Sequence, residues 1–214
     1  MKKFISVAAF VFCIVQHVCA QQDPKAAAIL DQVSKKYSSI ASYKAKFTYT
    51  MESPGAGINE TSEGEIVVKG HKFHLNMGGQ EIINNGTTVW TYLKEANEVN
   101  ISDYQPSDDD ITPSRIFNMY KKGYKYTFLS EKTENGKVYE VIDLIPEDRK
   151  TSFFKVRLEV NKKDKTLKSW TIFEKNGNRY VYSVKSFTPD FPVEDSFFNF
   201  DKSKYQGVEV IDLR

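Results

Sequence analysis

The spacing of apolar residues changes from a helical to a strand period early in the chain. Between Pro24 and Ile40, apolar side chains recur three or four residues apart, which predicts an amphipathic helix. Asp23 suits the start of this helix because its carboxylate can accept hydrogen bonds from the first free N–H groups. From Ala45 to Met51 every second residue is apolar, which is the alternation of a half-buried strand. The pattern therefore predicts a helix followed directly by a sheet.

Alternating segments continue along the rest of the chain and predict about eleven strands. Asn85-Gly86, Asn135-Gly136 and Asn176-Gly177 lie between such segments and are strong signals for hairpin turns. The predicted strands are residues 45–51, 63–69, 72–77, 80–84, 87–94, 98–103, 124–130, 137–144, 154–160, 165–175 and 179–187.

A second helix interrupts these strands. It is predicted to start at Thr112-Pro113-Ser114 and to end at Gly123. Turns recur about every 8–12 residues elsewhere, which favours a meandering antiparallel sheet that curls into a barrel or half-barrel. We expect both helices to bury their apolar faces on the concave side of this sheet.

The first twenty residues have the layout of a cleavable signal peptide. Two lysines precede an apolar run over residues 4–15, and Ala20 supplies a small residue before the expected cleavage. The run is shorter than the roughly 20 residues that span a bilayer. Cys13 and Cys19 each follow a large or β-branched residue, which does not suit lipid attachment. We therefore expect residues 1–20 to be removed without acylation.

Residues 21–214 are then expected to form one soluble domain without thiols, because both cysteines lie in the removed segment. The net charge of +2 falls to about zero without Lys2 and Lys3, so there is no basic excess to attract nucleic acid. His71 and His74 should point to opposite faces of a strand, which disfavours a metal site or a catalytic triad built on them. The sequence therefore predicts a protein without a cofactor or a metal.

Aromatic residues are abundant, with 15 Phe and 12 Tyr, and many occupy the apolar positions of strands. Such residues mostly fill protein interiors, so an ordinary core is the simplest interpretation. A large curved sheet can also enclose an apolar cavity that holds a ligand. Periodicity does not distinguish these two possibilities.

Several segments, in their order and spacing, resemble the periplasmic lipoprotein carriers known as localisation factor A proteins of Gram-negative bacteria. Residues 43–50 and 63–69 follow the first helix as they do in that family. Asn85-Gly86-Thr87-Thr88-Val89-Trp90-Thr91-Tyr92 resembles its Asp/Asn-Gly-x-x-Leu/Val-Trp-x-Tyr hairpin. Phe198-Asn199-Phe200 before Gly207-Val208-Glu209-Val210 is similar to its Phe-x-Phe and Gly-Val-x-Val ending. The resemblance covers nearly all of residues 21–214.

This resemblance implies an incomplete, unclosed antiparallel β-barrel in which two main helices form a lid over an apolar cavity. The cavity would take the acyl chains of lipoproteins in the periplasm. An inner-membrane ABC exporter would load the carrier, which would act as a monomer, and an outer-membrane acceptor is a candidate partner at delivery. We assign the following strand residues to the cavity: Phe47, Tyr49, Met51, Ile66, Val68, Phe73, Leu75, Trp90, Tyr92, Phe154, Val156, Leu158, Tyr180 and Tyr182. We assign the following helix residues to the lid: Ile29, Leu30, Val33, Ile116, Phe117 and Met119.

The chain departs from the family at one functional position. In relatives, an arginine after the second strand latches the lid by hydrogen bonding to helix residues, and an ungapped match places Gly70 there. Either a neighbouring cation from Lys69, His71 or Lys72 replaces the arginine, or the lid is held differently.

Three other functions remain open at this level. The same half-barrel could serve as a fixed acceptor or envelope sensor, or it could bind free lipid or glycolipid. A hydrolase is the least favoured, because the sequence has no G-x-S-x-G or H-E-x-x-H motif.

Overall fold

The computed structural model describes residues 22–105 and 116–214. The expected signal peptide, residues 1–20, lies outside the described residues. The described chain contains one α-helix, α1, and twelve strands: α1 (Pro24–Ser38), β1 (Ser42–Ser53), β2 (Ile58–Lys69), β3 (Lys72–Met77), β4 (Gln80–Asn84), β5 (Thr88–Leu93), β6 (Glu98–Asp103), β7 (Tyr124–Glu134), β8 (Lys137–Pro146), β9 (Phe153–Asn161), β10 (Leu167–Glu174), β11 (Arg179–Pro189) and β12 (Glu209–Asp212). Short 3₁₀ helices span Met119–Lys121, Asp195–Phe198 and Lys202–Lys204.

The predicted first helix is confirmed, and its N-terminus is fixed to the sheet. One carboxylate oxygen of Asp23 accepts hydrogen bonds from the N–H groups of Lys25 and Ala26, at 2.9 and 3.1 Å. The other accepts from the N–H group of Phe128 in β7, at 2.8 Å. These backbone bonds, led by that from Phe128, hold the pKa of Asp23 below its ordinary value. A single aspartate therefore caps α1 and anchors it to the edge of the sheet.

All twelve strands form one unclosed sheet in the order β12-β6-β5-β4-β3-β2-β1-β11-β10-β9-β8-β7. Neighbouring strands are antiparallel except for β12, which pairs in parallel with β6. The predicted unclosed antiparallel sheet is thus confirmed, with β12 as an additional strand. The sequence did not predict this strand because only four residues of the tail pair with the sheet.

The predicted second helix is not found in the part of the chain that the structure describes. Its expected start at residues 112–114 lies outside that part. Residues 116–118 form a turn, and the following helical segment is a single 3₁₀ turn at Met119–Lys121. Gly123 has a φ of +77°, which directs the chain out of the turn and into β7 at once.

The sheet is covered on both faces. We call the face that packs against α1 the inner face. There, buried residues of α1 pack on strands β8, β9 and β10. The strand residues in this contact include Ile142 and Leu144 of β8 and Val156 of β9. On the outer face, Phe197 lies 4.8 Å from the ring of His74 and Tyr205 lies 4.6 Å from that of Tyr92. Residues 195–212, which we call the C-terminal segment, therefore cover the outer face of β3–β6.

Candidate functional site

An apolar pocket of about 130 Å³ lies on the inner face. It is enclosed by the end of α1, by residues 116–117 and by strands β1–β3, β10 and β11. None of the described side chains around it carries a formal charge. These residues are Tyr37, Tyr43, Ala45, Phe47, Ile66, Leu75, Met77, Ile116, Phe117, Leu167, Trp170, Tyr182, Val184 and Phe187.

Packed aromatic rings form much of the pocket wall. The ring of Tyr182 stacks on Trp170 at 4.7 Å and lies 6.2 Å from Phe47. Burial raises the pKa of Tyr37 to about 12 and also raises the pKa values of Tyr43 and Tyr182. These phenols stay neutral at physiological pH, so the wall of the pocket is uncharged and apolar.

A larger pocket of about 680 Å³ adjoins the apolar pocket. We call it the mouth, because it is lined by exposed polar residues such as His71, Lys122 and Asp148. Tyr37, Tyr43 and Phe117 line both spaces. These three residues therefore form the wall that separates the mouth from the apolar pocket. The described residues that line the mouth are Tyr37, Ser38, Ile40, Ala41, Tyr43, Val68, Gly70, His71, Phe117, Asn118, Met119, Lys122, Gly123, Tyr124, Pro146, Asp148 and Thr151.

Residues 116–121, which we call the cover segment, are attached to one stripe of α1. Phe117 stacks on Tyr37 with ring centres 3.6 Å apart and planes 6° from parallel. The hydroxyl of Ser34 donates a hydrogen bond to the side-chain oxygen of Asn118, at 2.5 Å.

A third contact completes the attachment. The hydroxyl of Tyr120 donates to the carboxylate of Asp31, at 2.6 Å. Burial, followed by this bond, raises the pKa of Tyr120 to about 12. Asp31, Ser34 and Tyr37 are spaced three residues apart on α1 and so lie on one side of the helix. These contacts form a latch between α1 and the cover segment.

The position expected to hold the family's arginine plays no part in this latch. Gly70 sits in the β2–β3 turn with a φ of +60° and lines the mouth. Lys69 and Lys72 each bind Asp195 at 2.8 Å in the C-terminal segment on the outer face. Hydrogen bonds from Lys69 and then Lys72 lower the pKa of Asp195 to about 2. Of the two possibilities left open by the sequence, the structure therefore favours a cover that is held differently.

Several residues predicted for the site line one of these two pockets. Phe47, Ile66, Leu75 and Tyr182 line the apolar pocket, as do Ile116 and Phe117 of the predicted lid. Val68 and Met119 line the mouth. The other inner-face residues from the prediction lie beside the pocket, with Tyr49 and Phe73 packed on its cluster and Met51 paired with Tyr180.

Trp90 and Tyr92 are not brought to this site. The pairing register connects Leu75 to Ile82 and Ile82 to Thr91, so Thr91 faces inward and its neighbours face outward. The hydroxyl of Tyr92 instead donates to Asn97 at 3.0 Å beneath the C-terminal segment. Their alternation was predicted correctly, but the face was wrong because the C-terminal segment covers the outer face of this part of the sheet.

Phe154 is also absent from the pocket. Phe173 of β10 pairs with Lys155, and the next residue, Glu174, pairs with Phe153, so Phe154 is an extra residue in β9. Phe153 takes the buried position instead. Phe154 is left 49% exposed. Phe154 is in phase with the inward residues Val156 and Leu158, but the bulge turns its side chain out of the core.

The remaining predicted residues belong to the closed core of the inner face. Val156 and Leu158 pack in one cluster with the helix residues Ile29, Leu30 and Val33, all at most 4% exposed. These helix side chains were assigned to a lid, but Tyr37 is the residue of α1 that reaches the apolar pocket.

The sequence prediction missed more than half of the residues lining the pocket. Tyr43 and Ala45 share the parity of Phe47 and could have been found from it. Phe187 could not, because β11 has one extra residue opposite the Lys46/Phe47 step. The inward positions of β11 therefore change parity between Val184 and Phe187. The other missed residues are Tyr37, Met77, Leu167, Trp170 and Val184.

Comparison with known proteins identifies a matching family. The family model for "Outer membrane lipoprotein carrier protein LolA" matches residues 38–201, which is more than half of the chain. No match was found among curated protein sequences.

In the described part of the chain, no helix has the length and apolar character needed to cross a bilayer.

Several solved structures are similar to this chain at low sequence identity. An uncharacterised conserved protein from Thermus thermophilus is 13% identical with a TM-score of 0.58, and the match covers 88% of this chain and 99% of that one. A LolA superfamily protein from Nitrosomonas europaea is 14% identical with a TM-score of 0.44, over 82% and 97% of the two chains. LprF from Mycobacterium bovis is 11% identical with a TM-score of 0.47, over 81% and 96%.

Proposed function

The chain belongs to the LolA family of outer membrane lipoprotein carrier proteins, and from this premise we propose that it is itself a periplasmic lipoprotein carrier. It binds the acyl chains of lipoproteins released from the inner membrane and transfers them to the outer membrane. The observation that carries this proposal is the uncharged aromatic pocket directly behind a latched cover segment.

The physical need for such a carrier follows from the cost of exposing an acyl chain. Each CH₂ group in water costs about 0.8 kcal/mol, so one long chain costs on the order of 10 kcal/mol. A lipoprotein therefore leaves a membrane very slowly without help. A pocket of matched apolar character makes the transfer nearly neutral, and a movable cover makes it reversible.

The small size of the pocket supports a closed state of the carrier. Pockets that hold small-molecule ligands usually measure about 300–1,000 Å³, well above the 130 Å³ here. Withdrawal of Phe117 from Tyr37 would join the apolar pocket to the mouth, because both rings line both spaces. Each hydrogen bond of the latch is worth about 1 kcal/mol and the ring stack a similar amount. Ile116 and Tyr120 of the cover segment are also buried in the core cluster, so cargo that opens the cover must replace their apolar contacts as well.

The proposal also specifies location and partners. The carrier acts as a soluble monomer in the periplasm after removal of residues 1–20. An inner-membrane ABC exporter loads it, and an outer-membrane acceptor or the membrane itself receives the cargo. The family match supports this route through its description as an outer membrane lipoprotein carrier.

A release assay with matched variants tests the proposal. Purified protein is added to spheroplasts that carry acyl-labelled lipoproteins, and the supernatant is assayed for soluble one-to-one complexes. Leu75→Asp places a carboxylate in the pocket, whereas Asn76→Asp alters the next residue of the same strand on the opposite face. We expect the unaltered protein and Asn76→Asp to release labelled lipoprotein and Leu75→Asp to release at least tenfold less.

Two results would overturn the proposal. If no lipoprotein is released and the purified protein contains free lipid, the chain is a lipid binder. If nothing is released and the protein is empty, a sensor role replaces the carrier role.

A further inference from the structure

Gly64 of β2 lies on the inner face between two residues that line the apolar pocket. It pairs with Phe47 of β1 on one side and with Met77 of β3 on the other. A β-carbon built at Gly64 would lie 2.4 Å from Cζ of Phe47 and 2.7 Å from Cε2, closer than van der Waals contact permits. The phenyl ring therefore rests against the backbone of β2, in the space that a side chain would occupy.

The backbone does not require glycine at this position. Nine of the described glycines have positive φ values, and Gly64 is not one of them. Glycine inside a strand weakens the sheet and often marks a close approach of another group. The close group here is the ring of Phe47, which is itself part of the pocket wall.

We propose that Gly64 sets the depth of the apolar pocket, and with it the length of acyl chain that the carrier binds. This inference rests on the proposed function and identifies a positioning residue within the same site. With glycine at position 64, the outer end of the Phe47 ring rests close to the backbone of β2 and leaves the space above it to the ligand. Any larger residue displaces the ring by about 1 Å or more, and the pocket is the space into which it moves.

A chain-length profile tests this proposal. Saturated fatty acids of about 8 to about 18 carbons compete with a fluorescent fatty acid for the purified protein. For the unaltered protein, affinity should rise about fourfold per CH₂ until the pocket is filled and then level off. In Gly64→Ala, affinity should level off at a chain length at least about one carbon shorter than in the unaltered protein. One carbon extends a fatty-acid chain by roughly the distance that the ring is displaced. Chains beyond that point should bind about fourfold more weakly or worse.

Three further variants separate pocket depth from a purely structural effect. Gly55→Ala is the matched control, since a β-carbon there meets nothing within 4 Å, and its profile should equal that of the unaltered protein. Phe47→Leu in the Gly64→Ala background removes the clashing ring atoms and should restore the long-chain plateau. Phe47→Leu alone should extend the plateau to longer chains, which keeps the proposal testable if Gly64→Ala folds poorly.

The outcomes distinguish this inference from the proposed function. If the unaltered protein binds fatty acids but all variants keep the same plateau, Gly64 does not set the depth, and the Phe47 ring only protects the strand backbone. If the unaltered protein binds no chain of any length, both proposals fail.

Discussion

At the scale of single residues, the closed site depends on a few short contacts between α1 and the cover segment. Tyr37 stacks on Phe117, Ser34 donates to Asn118, and Tyr120 donates to Asp31. The cover segment buries Ile116 and Tyr120 in the core cluster, whereas α1 buries six residues. This difference favours movement of the cover segment rather than of the helix.

Tyr120→Phe tests the role of the latch. The substitution removes one hydroxyl and its hydrogen bond to Asp31, which contributes about 0.5–1.5 kcal/mol. If opening of the cover limits entry, we expect a fluorescent fatty acid to enter about two- to tenfold faster in a stopped-flow experiment.

Tyr205→Phe is the control for this measurement. Its hydroxyl bonds to Glu81 on the outer face, so its loss should reduce stability slightly and leave the entry rate unchanged. Equal entry rates in Tyr120→Phe and the unaltered protein would show that the latch does not control access.

At the scale of elements, alternation of apolar residues located the helix and the predicted strands but not the role of each face. The parity of β1 placed Phe47 on the face of that strand that lines the pocket. In β5 the same reasoning placed Trp90 on the wrong face, since the C-terminal segment covers the outer side there. Bulges in β9 and β11 shift the inward parity, and a strict period of two cannot anticipate such shifts.

Phe198→Ala tests whether the C-terminal segment is an integral part of the fold. Phe198 is fully buried, whereas its neighbour Phe197 is 43% exposed. We expect Phe198→Ala to lower the free energy of unfolding by about 3–5 kcal/mol in urea denaturation, because it leaves a cavity in the outer core. Phe197→Ala should cost much less, and equal losses in the two variants would contradict this account of the segment.

At the scale of the whole molecule, one sheet carries two covers with different roles. The C-terminal segment closes the outer face through a buried Phe198 and ion pairs from Asp195 to Lys69 and Lys72. On the inner face, α1 covers the core cluster and the cover segment, with Ile116 and Tyr120 buried in that cluster, covers the apolar pocket. The family-like order of segments predicted the unclosed antiparallel sheet but not the cover on its outer face. The latch between α1 and the cover segment could not be predicted, because it joins residues that are far apart in sequence.

The most direct test of the central claim asks which face of the sheet holds the cargo. A photo-reactive amino acid is placed at Met77, which lines the pocket, or at Asn76, which lies next to it on the outer face, and each protein is mixed with spheroplasts carrying acyl-labelled lipoproteins. After illumination, we predict a labelled adduct of carrier and lipoprotein for Met77 and none for Asn76. Equal labelling at both positions, or labelling at Asn76 alone, would contradict a carrier that holds acyl chains on its inner face.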